Sequence, residues 1–329
     1  MIRFDVVGLG NAIVDILAPC EDAFLDAQGI AKGAMTLIDE VRAQALYDHM
    51  KPAQERSGGS AANTVAGLAS FGAQTAYLGK VADDQLGDVF AHDLRAANVT
   101  FQTARLSGGP ETARSYILVS PDAQRSMNTF LGASTEFSEA DVDAEIIQAG
   151  QILYLEGYLF DKPAAKAAYV RASELAKAAN RKVSLTLSDP FCVDRHRDAF
   201  RHLVAHHIDI LFANEAELLS LYETEDLDSA VAAVRRDTAI VAVTRSEKGS
   251  LVITDREIVE IPAVAVAKVV DTTGAGDQYA AGALFGLAQG FEPETCGRLG
   301  ALAASEVISH YGARPEVSLA EHARAHGLL

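Results

Sequence analysis

The heptapeptide Asp271-Thr272-Thr273-Gly274-Ala275-Gly276-Asp277 sets two glycines between two carboxylates, directly ahead of a small-residue helical stretch running to about Gln289. Glycines at 274 and 276 let the backbone turn sharply and come close to a ligand. The first N–H groups of the helix have no partner inside it, so they face whatever lies in the turn. The helix dipole favours negative charge there. A carboxylate at such an anion site is useful when it removes a proton from the group that attacks the anion. The stretch therefore reads as an anion cradle with a general base, Asp277, on its rim. A bare GxGD is also explained by a glycine turn that caps a helix, so other residues must decide.

Further chemistry-bearing clusters lie upstream. Ser57-Gly58-Gly59-Ser60-Ala61-Ala62-Asn63-Thr64 opens another small-residue helix, again with glycines that would bring N–H groups near a ligand. Asn63 falls about one turn in, where its amide could face back toward Gly58 and Gly59. Asn11 and Asp15 are the polar residues of the opening apolar stretch. Asn214 and Glu217, in Asn-Glu-Ala-Glu, have the spacing of a capping box.

Composition narrows the class. The chain has 329 residues and a hydrophobic fraction of 49%, enough for one large domain or two modest ones. A net charge of −17 disfavours nucleic acid, whose binding rests on neutralisation by Lys and Arg. A single nucleotide remains compatible, because a local N–H cradle and a divalent ion hold phosphates against the global field. The three widely spaced cysteines, Cys20, Cys192 and Cys296, fit a reducing compartment rather than a disulfide framework. The start, Met-Ile-Arg-Phe-Asp, lacks signal-peptide regions, and no apolar run is long enough for a membrane span. A cytoplasmic location is expected.

The elements that must position these residues follow from periodicity. Residues 4–10 read as a buried strand ending in glycines, and Ala12–Ala18 as another strand. Gly8-Leu9-Gly10 begins like a dinucleotide fingerprint, but Ile13 stands at the third glycine, which argues against a nicotinamide-binding oxidoreductase. No GxxxxGK[ST] occurs, which argues against a P-loop kinase. Segments 101–106 and 113–119 look like a hairpin joined by Ser-Gly-Gly-Pro, and 126–130 adds a strand. From about residue 140, short apolar strands alternate with helices, ending in a last helix over 293–310. That alternation implies an α/β fold, a doubly wound, mainly parallel sheet flanked by helices. The extended segments 12–38 and 99–130 stand outside it and suggest a small β-rich lid, leaving 1–11, 39–98 and 131–329 as the nucleotide-binding and catalytic body.

Four blocks then carry a resemblance over nearly the whole chain: Gly10-Asn11-Ala12-Ile13-Val14-Asp15; Gly58-Gly59 with Asn63, running on to Gly79-Lys80-Val81-Ala82-Asp83-Asp84-Gln85-Leu86-Gly87; Asn214 to Glu217; and Asp271 to Asp277. In this order they resemble the ribokinase/PfkB family of sugar and nucleoside kinases, with its ribokinase-like fold. The resemblance implies ATP and Mg²⁺ as cofactors. It implies that Asn11, Asp15, Gly58, Gly59 and Asn63 hold ribose-type hydroxyls, that Asp277 deprotonates the attacking hydroxyl, and that Gly274, Ala275 and Gly276 supply N–H groups to the transferring phosphoryl. Asn214 and Glu217 would order Mg²⁺ through its water shell. Thr244, Ser246 and Gly249 resemble the nucleotide-side turn, with Ser246 in place of a common glycine. Asp271, Thr273 and the carbonyls near Gly312 correspond to a monovalent-cation site of some members, K⁺ being the candidate.

The opening Gly-Asn-Ala-Ile-Val-Asp-Ile resembles the adenosine-kinase branch. Met35, Leu37, Ile38, Phe130 and Leu131 are apolar, as a purine face requires, or else form lid core. Glu156 suits a contact with a sugar hydroxyl, and Arg125 either pairs with a phosphate or is a solvated turn residue. The expectation is an ATP-dependent kinase for the primary hydroxyl of a nucleoside, adenosine first, with a purine-salvage role. A free-sugar kinase acting on ribose or fructose is the alternative, and a non-catalytic nucleotide sensor a further class. A monomer and a homodimer are equally compatible.

Overall fold

The computed structural model describes residues 1–122 and 124–329, with all side chains among these except that of Asp161. Ala123, within the expected lid, lies outside the described residues. In chain order the strands are β1 (Phe4–Leu9), β2 (Ile13–Pro19), β3 (Met35–Leu37), β4 (Gln54–Gly58), β5 (Thr75–Leu78), β6 (Val99–Phe101), β7 (Ala113–Val119), β8 (Arg125–Phe130), β9 (Gly150–Glu156), β10 (Lys182–Thr186), β11 (Ile210–Asn214), β12 (Ile240–Thr244), β13 (Ser250–Thr254) and β14 (Ile258–Ile261).

A nine-stranded sheet runs β14-β13-β12-β11-β10-β9-β1-β5-β6. It is parallel from β12 to β6, with β13 and β14 returning antiparallel. Its strands are apolar at consecutive positions because both faces are covered. Val6, Ile152, Tyr154, Ile210 and Phe212 face a core shared with the helices Ser60–Ser70, Ala275–Gln289 and Pro293–Val307. Val7, Leu153, Leu155, Leu211 and Ala213 face the other core, under the helices Pro163–Ala178 and Pro190–His207. The expected doubly wound α/β architecture is what the chain adopts.

A second sheet runs β3-β8-β7-β2-β4. Alternation in β2 buries Val14, Ile16 and Ala18 and turns Asp15 to the opposite face. Four expectations need correction here. Gln54–Gly58, expected in the body, is an edge strand antiparallel to β2; its residues Gln-Glu-Arg are exposed, so no apolar alternation marks it. Val99–Phe101 belongs to the large sheet, parallel to β5, because Val99 and Phe101 fill its core. The antiparallel partner of β7 is therefore β8, not residues 101–106. A further helix, Leu319–Ala325, follows the one expected to be last.

The helix that carries the glycine turn is held closely against its neighbour. A Cβ on Gly282 would lie 2.4 Å from the Leu299 carbonyl oxygen, so the two backbones meet without a side chain between them. Gly282→Ala is expected to lower stability by roughly 1–3 kcal/mol, the usual cost of overpacking, read as a reduced urea midpoint; an unchanged midpoint would contradict this packing.

Candidate active site

The site lies at the carboxyl ends of the parallel strands, where ligands enter open α/β sheets. Two chain crossings meet there. Gly10-Asn11-Ala12 carries the chain from β1 to β2, and Gly58-Gly59 returns it from β4 to the helix Ser60–Ser70. The crossings touch: a Cβ on Gly59 (φ 92°) would sit 2.3 Å from the Asn11 carbonyl oxygen. A Cβ on Gly58 would sit 2.2 Å from an Asp15 carboxylate oxygen, so this glycine leaves room for that carboxylate.

Asp277 stands in the first turn of the helix Ala275–Gln289, half-buried. Ser60 Oγ donates to its Oδ1 at 2.6 Å and Asn63 Nδ2 to its Oδ2 at 3.2 Å. Asn63 thus points its amide at the carboxylate rather than at the glycines. Desolvation pushes the Asp277 pKa up to about 6, against the lowering effect of these two donors. Gly274 (φ 78°) caps the helix in the left-handed region, and a Cβ there would strike Ala313. A Cβ on Gly276 would meet open space. The Ala275 N–H is engaged by the Thr272 carbonyl at 3.2 Å. Among the described residues the N–H groups of Gly274, Gly276 and Asp277 meet no acceptor, so the open donors are shifted by one residue from the expected set.

Asp15 accepts no hydrogen bond from the described residues. Burial pushes its pKa up to about 7, opposed by the charge of Arg314. Arg314 was not singled out in the sequence; its Nε donates to Asn63 Oδ1 at 3.3 Å, and its buried Nη2 has no partner among the described residues. Gln278, also unforeseen, donates to the Asn63 and Ala313 carbonyls at 3.1 and 2.9 Å. Only folding brings these residues together, so no local pattern announces them.

Glu156 is a correction. It is 1% exposed and is spent on protein: Oε1 accepts from the N–H and Nδ2 of Asn11 at 3.2 and 2.9 Å, and Oε2 from the Ala61 N–H at 2.8 Å. It lies beneath the site, and Asn11 turns its amide to Glu156. Burial pushes the Glu156 pKa up to about 7. Met35 and Leu37 are 46% and 47% exposed, so they are not lid core. Arg125 is no solvated turn residue, because its side chain is only 9% exposed.

On the other side of the sheet centre, Asn214 and Thr244 end neighbouring strands in register. Asn214 and Glu217 form a reciprocal capping box, with Asn214 Oδ1 accepting the Glu217 N–H at 2.8 Å and Glu217 Oε2 the Asn214 N–H at 2.9 Å. Burial pushes Glu217 up to about 7, with the Asp189 charge adding to the rise. Both Glu217 oxygens are occupied by Asn214, which fits an outer-shell contact to a hydrated ion and not direct ligation. Gly249 (φ 84°) closes the turn after Thr244, which contains Ser246 at φ 52°.

Residues 29–319 match the sequence model of the pfkB family carbohydrate kinases, and the chain belongs to this family. It is an ATP-using phosphotransferase with an alcohol group as acceptor, a nucleoside or sugar kinase. Its structure is similar to that of adenosine kinase from Sinorhizobium meliloti, with a TM-score of 0.92 and 53% identity over 98% of this chain and 99% of that one. It is also similar to a probable sugar kinase protein from Rhizobium etli CFN 42, with a TM-score of 0.94 and 49% identity over 100% of both chains. A nucleoside kinase from Methanocaldococcus jannaschii is 27% identical, across 79% of this chain and 82% of its own. Among the described residues no helix is long and apolar enough to cross a membrane.

The buried glutamates make stability depend on pH. Glu156 and Glu217 keep a proton up to about 7 when folded and release it near 4.5 when unfolded. Between these values the folded chain holds more protons, so stability falls as pH rises and levels off above about 7. The urea midpoint of the free protein should decline across this window, and Glu156→Gln should flatten the decline. A midpoint that rises through the window would contradict the assignment.

Proposed function

We propose that the chain phosphorylates the 5′-type primary hydroxyl of a ribose-containing nucleoside, adenosine first, with ATP as donor. The observation that carries the reading is the Asp277 carboxylate, steadied by Ser60 and Asn63 beside a helix N-terminus with open N–H groups. Asp277 takes the proton of the attacking hydroxyl. A pKa near 6 leaves it ionised at neutral pH yet close enough in basicity to share a developing proton. The N–H groups of Gly274, Gly276 and Asp277 receive charge that builds on the phosphoryl oxygens, and such positioning carries most of the catalysis in phosphoryl transfer.

Asp15, which accepts no hydrogen bond from the described residues, accepts from ribose hydroxyls, with Gly58, Gly59 and Asn63 around it. Arg314 adds its Nη2, which has no partner among the described residues. Asn214, Thr244, Ser246 and Gly249 form the nucleotide side. Mg²⁺, when bound, neutralises phosphate charge, and Glu217 would hold it through water. The small sheet acts as the lid that excludes water from the transfer, and the exposed pair Met35 and Leu37 on one face of β3 is the apolar surface for a base.

The nucleoside reading is supported by the 53% identity to a protein named adenosine kinase and by Glu156. A free sugar would favour an extra carboxylate in the site, and Glu156 is committed elsewhere. The sugar kinase reading keeps the support of the 49% identical R. etli protein.

ADP release should be measured with Mg·ATP against adenosine, inosine, guanosine, cytidine, ribose and fructose. Turnover with adenosine and silence with ribose is expected; turnover with a free sugar alone would overturn the substrate. Asp277→Asn should lower kcat by roughly 10²-fold or more with little change in ATP affinity. For the wild type, kcat/KM should fall about tenfold per pH unit below about 6, where Asp277 becomes protonated. An acid limb that survives unchanged in Asp277→Asn would remove Asp277 from the role of base.

A further inference from the structure

We infer that Arg125 is a built-in cation at Asp271, so that this enzyme works without a bound monovalent metal ion at that position. Asp271 lies three residues before Gly274, and its side chain is 2% exposed. Its Oδ1 accepts the Thr273 N–H at 2.9 Å, and its Oδ2 accepts the Gly312 N–H at 2.9 Å. Arg125 Nη2 lies 2.5 Å from the same Oδ2 in an ion pair. The other arm of the guanidinium, Nη1, donates to Thr273 Oγ1 at 2.9 Å. The guanidinium also lies 5.5 Å from the Tyr311 ring centroid, within cation–π range.

A potassium site needs converging oxygen atoms that replace the ion's water. Here the donor set is the reverse. Two backbone N–H groups and a guanidinium converge on one carboxylate. Gly312 offers this carboxylate its N–H rather than a carbonyl. A second cation at Asp271 would share a nearly buried space with Arg125 and would have to displace it. The residues present therefore do not fit the ion, and they do fit a tethered charge.

The tether has a mechanical consequence. Arg125 belongs to β8 of the small sheet, whereas Asp271 and Thr273 belong to the turn that leads into the open N–H groups. One side chain thus joins the small sheet to the approach of the anion cradle. Arg125 is a positioning residue: it acts on the cradle through Asp271 and Thr273. The charge that steadies the turn is delivered by the chain itself, along with the small sheet.

This inference rests on the kinase reading for its turnover measurement, but its binding measurements do not. Wild type, Arg125→Ala and Arg125→Lys of the full chain should be compared in potassium chloride and in tetramethylammonium chloride at equal ionic strength. Three quantities are read: thermal midpoint, thallium(I) binding by NMR line width, and kcat/KM with adenosine and Mg·ATP. For the wild type, potassium should leave the midpoint unchanged, thallium should not bind at this site, and kcat/KM should differ by less than about twofold between the salts. Arg125→Ala should lose about tenfold or more in kcat/KM in tetramethylammonium and regain most of it in potassium, with a raised midpoint and thallium binding. Arg125→Lys keeps the charge and should remain indifferent to the salt.

Saturable stimulation or stabilisation of the wild type by potassium would overturn the inference. So would an Arg125→Ala defect that no alkali cation relieves, which would leave Arg125 as an ordinary lid contact. If Arg125→Ala does not fold, the wild type and Arg125→Lys still decide through their midpoints and thallium binding. If adenosine is not turned over, those same two measurements test the cation independently of substrate.

Discussion

The structure depends on the buried carboxylate of Glu156. One side chain at the end of β9 binds the crossing from β1 to β2 through Asn11 and the start of the helix Ser60–Ser70 through Ala61. Its own backbone carbonyl accepts from the Tyr169 hydroxyl, which anchors the strand end to the helix on the opposite face. The space is exacting. A Cβ on Gly10 would fall 2.4 Å from Glu156 Oε2 and 2.9 Å from the Ala61 Cβ, so the crossing fits only with glycine there. Burying a carboxylate is costly unless its lone pairs are filled. Three N–H donors fill them, and the group becomes a rigid node. The helix it fixes is the one whose Ser60 and Asn63 hold Asp277. The Asp277 carboxylate is therefore oriented by that of Glu156 across the same helix start.

That arrangement separates the roles of the acidic groups by their partners. Glu156 and Glu217 are closed, each with its oxygens occupied by amide groups. Asp271 is closed by two N–H groups and a guanidinium. Asp277 is half-closed, with one side-chain donor on each oxygen, and Asp15 has no hydrogen-bond donor among the described residues. The open carboxylates, Asp15 and Asp277, are also half-buried, whereas the closed ones are buried. The direction of the pKa shift alone would not sort them, since desolvation raises Asp15, Asp277, Glu156 and Glu217 alike.

What was legible in the sequence was what is local. The glycine turn and Asp277 lie within the seven residues Asp271 to Asp277, and the helix behind them runs on without interruption to Gln289, so local sequence specifies them. The alternation of strands and helices after residue 140 made the parallel sheet legible for the same reason. What was not legible depends on chain segments meeting across long separations. Glu156 reads as a site residue until its partners Asn11 and Ala61 are seen around it. Arg125 reads as a turn residue because the carboxylate that receives it is at position 271. Gln54–Gly58 carries no alternation, because an edge strand with one covered neighbour tolerates exposed polar residues. The Asn214–Glu217 spacing supported both a capping box and a nucleotide-side pair. The capping box is formed, and it leaves the second role only through water.

The charge of the chain gives the last constraint. A protein at −17 that handles a polyanion must confine its positive potential to the place where it is used. Two means of doing so are present. Helix N-termini supply partial positive charge through backbone N–H groups, and these add nothing to the net charge. Two arginines near the site are half-buried and paired: Arg125 is bound to Asp271 and Arg314 to Asn63, so neither is a mobile surface cation. Desolvation lowers the pKa of both guanidiniums from their ordinary value, with nearby acidic groups opposing the shift. A guanidinium nevertheless stays charged under all relevant conditions, as an ammonium in the same place need not. Burial raises the carboxylates toward neutrality while the arginines keep their charge, so the cleft is less negative than its residue count implies. That difference in response to burial, rather than an excess of basic residues, is what lets an acidic protein present a phosphate-compatible site.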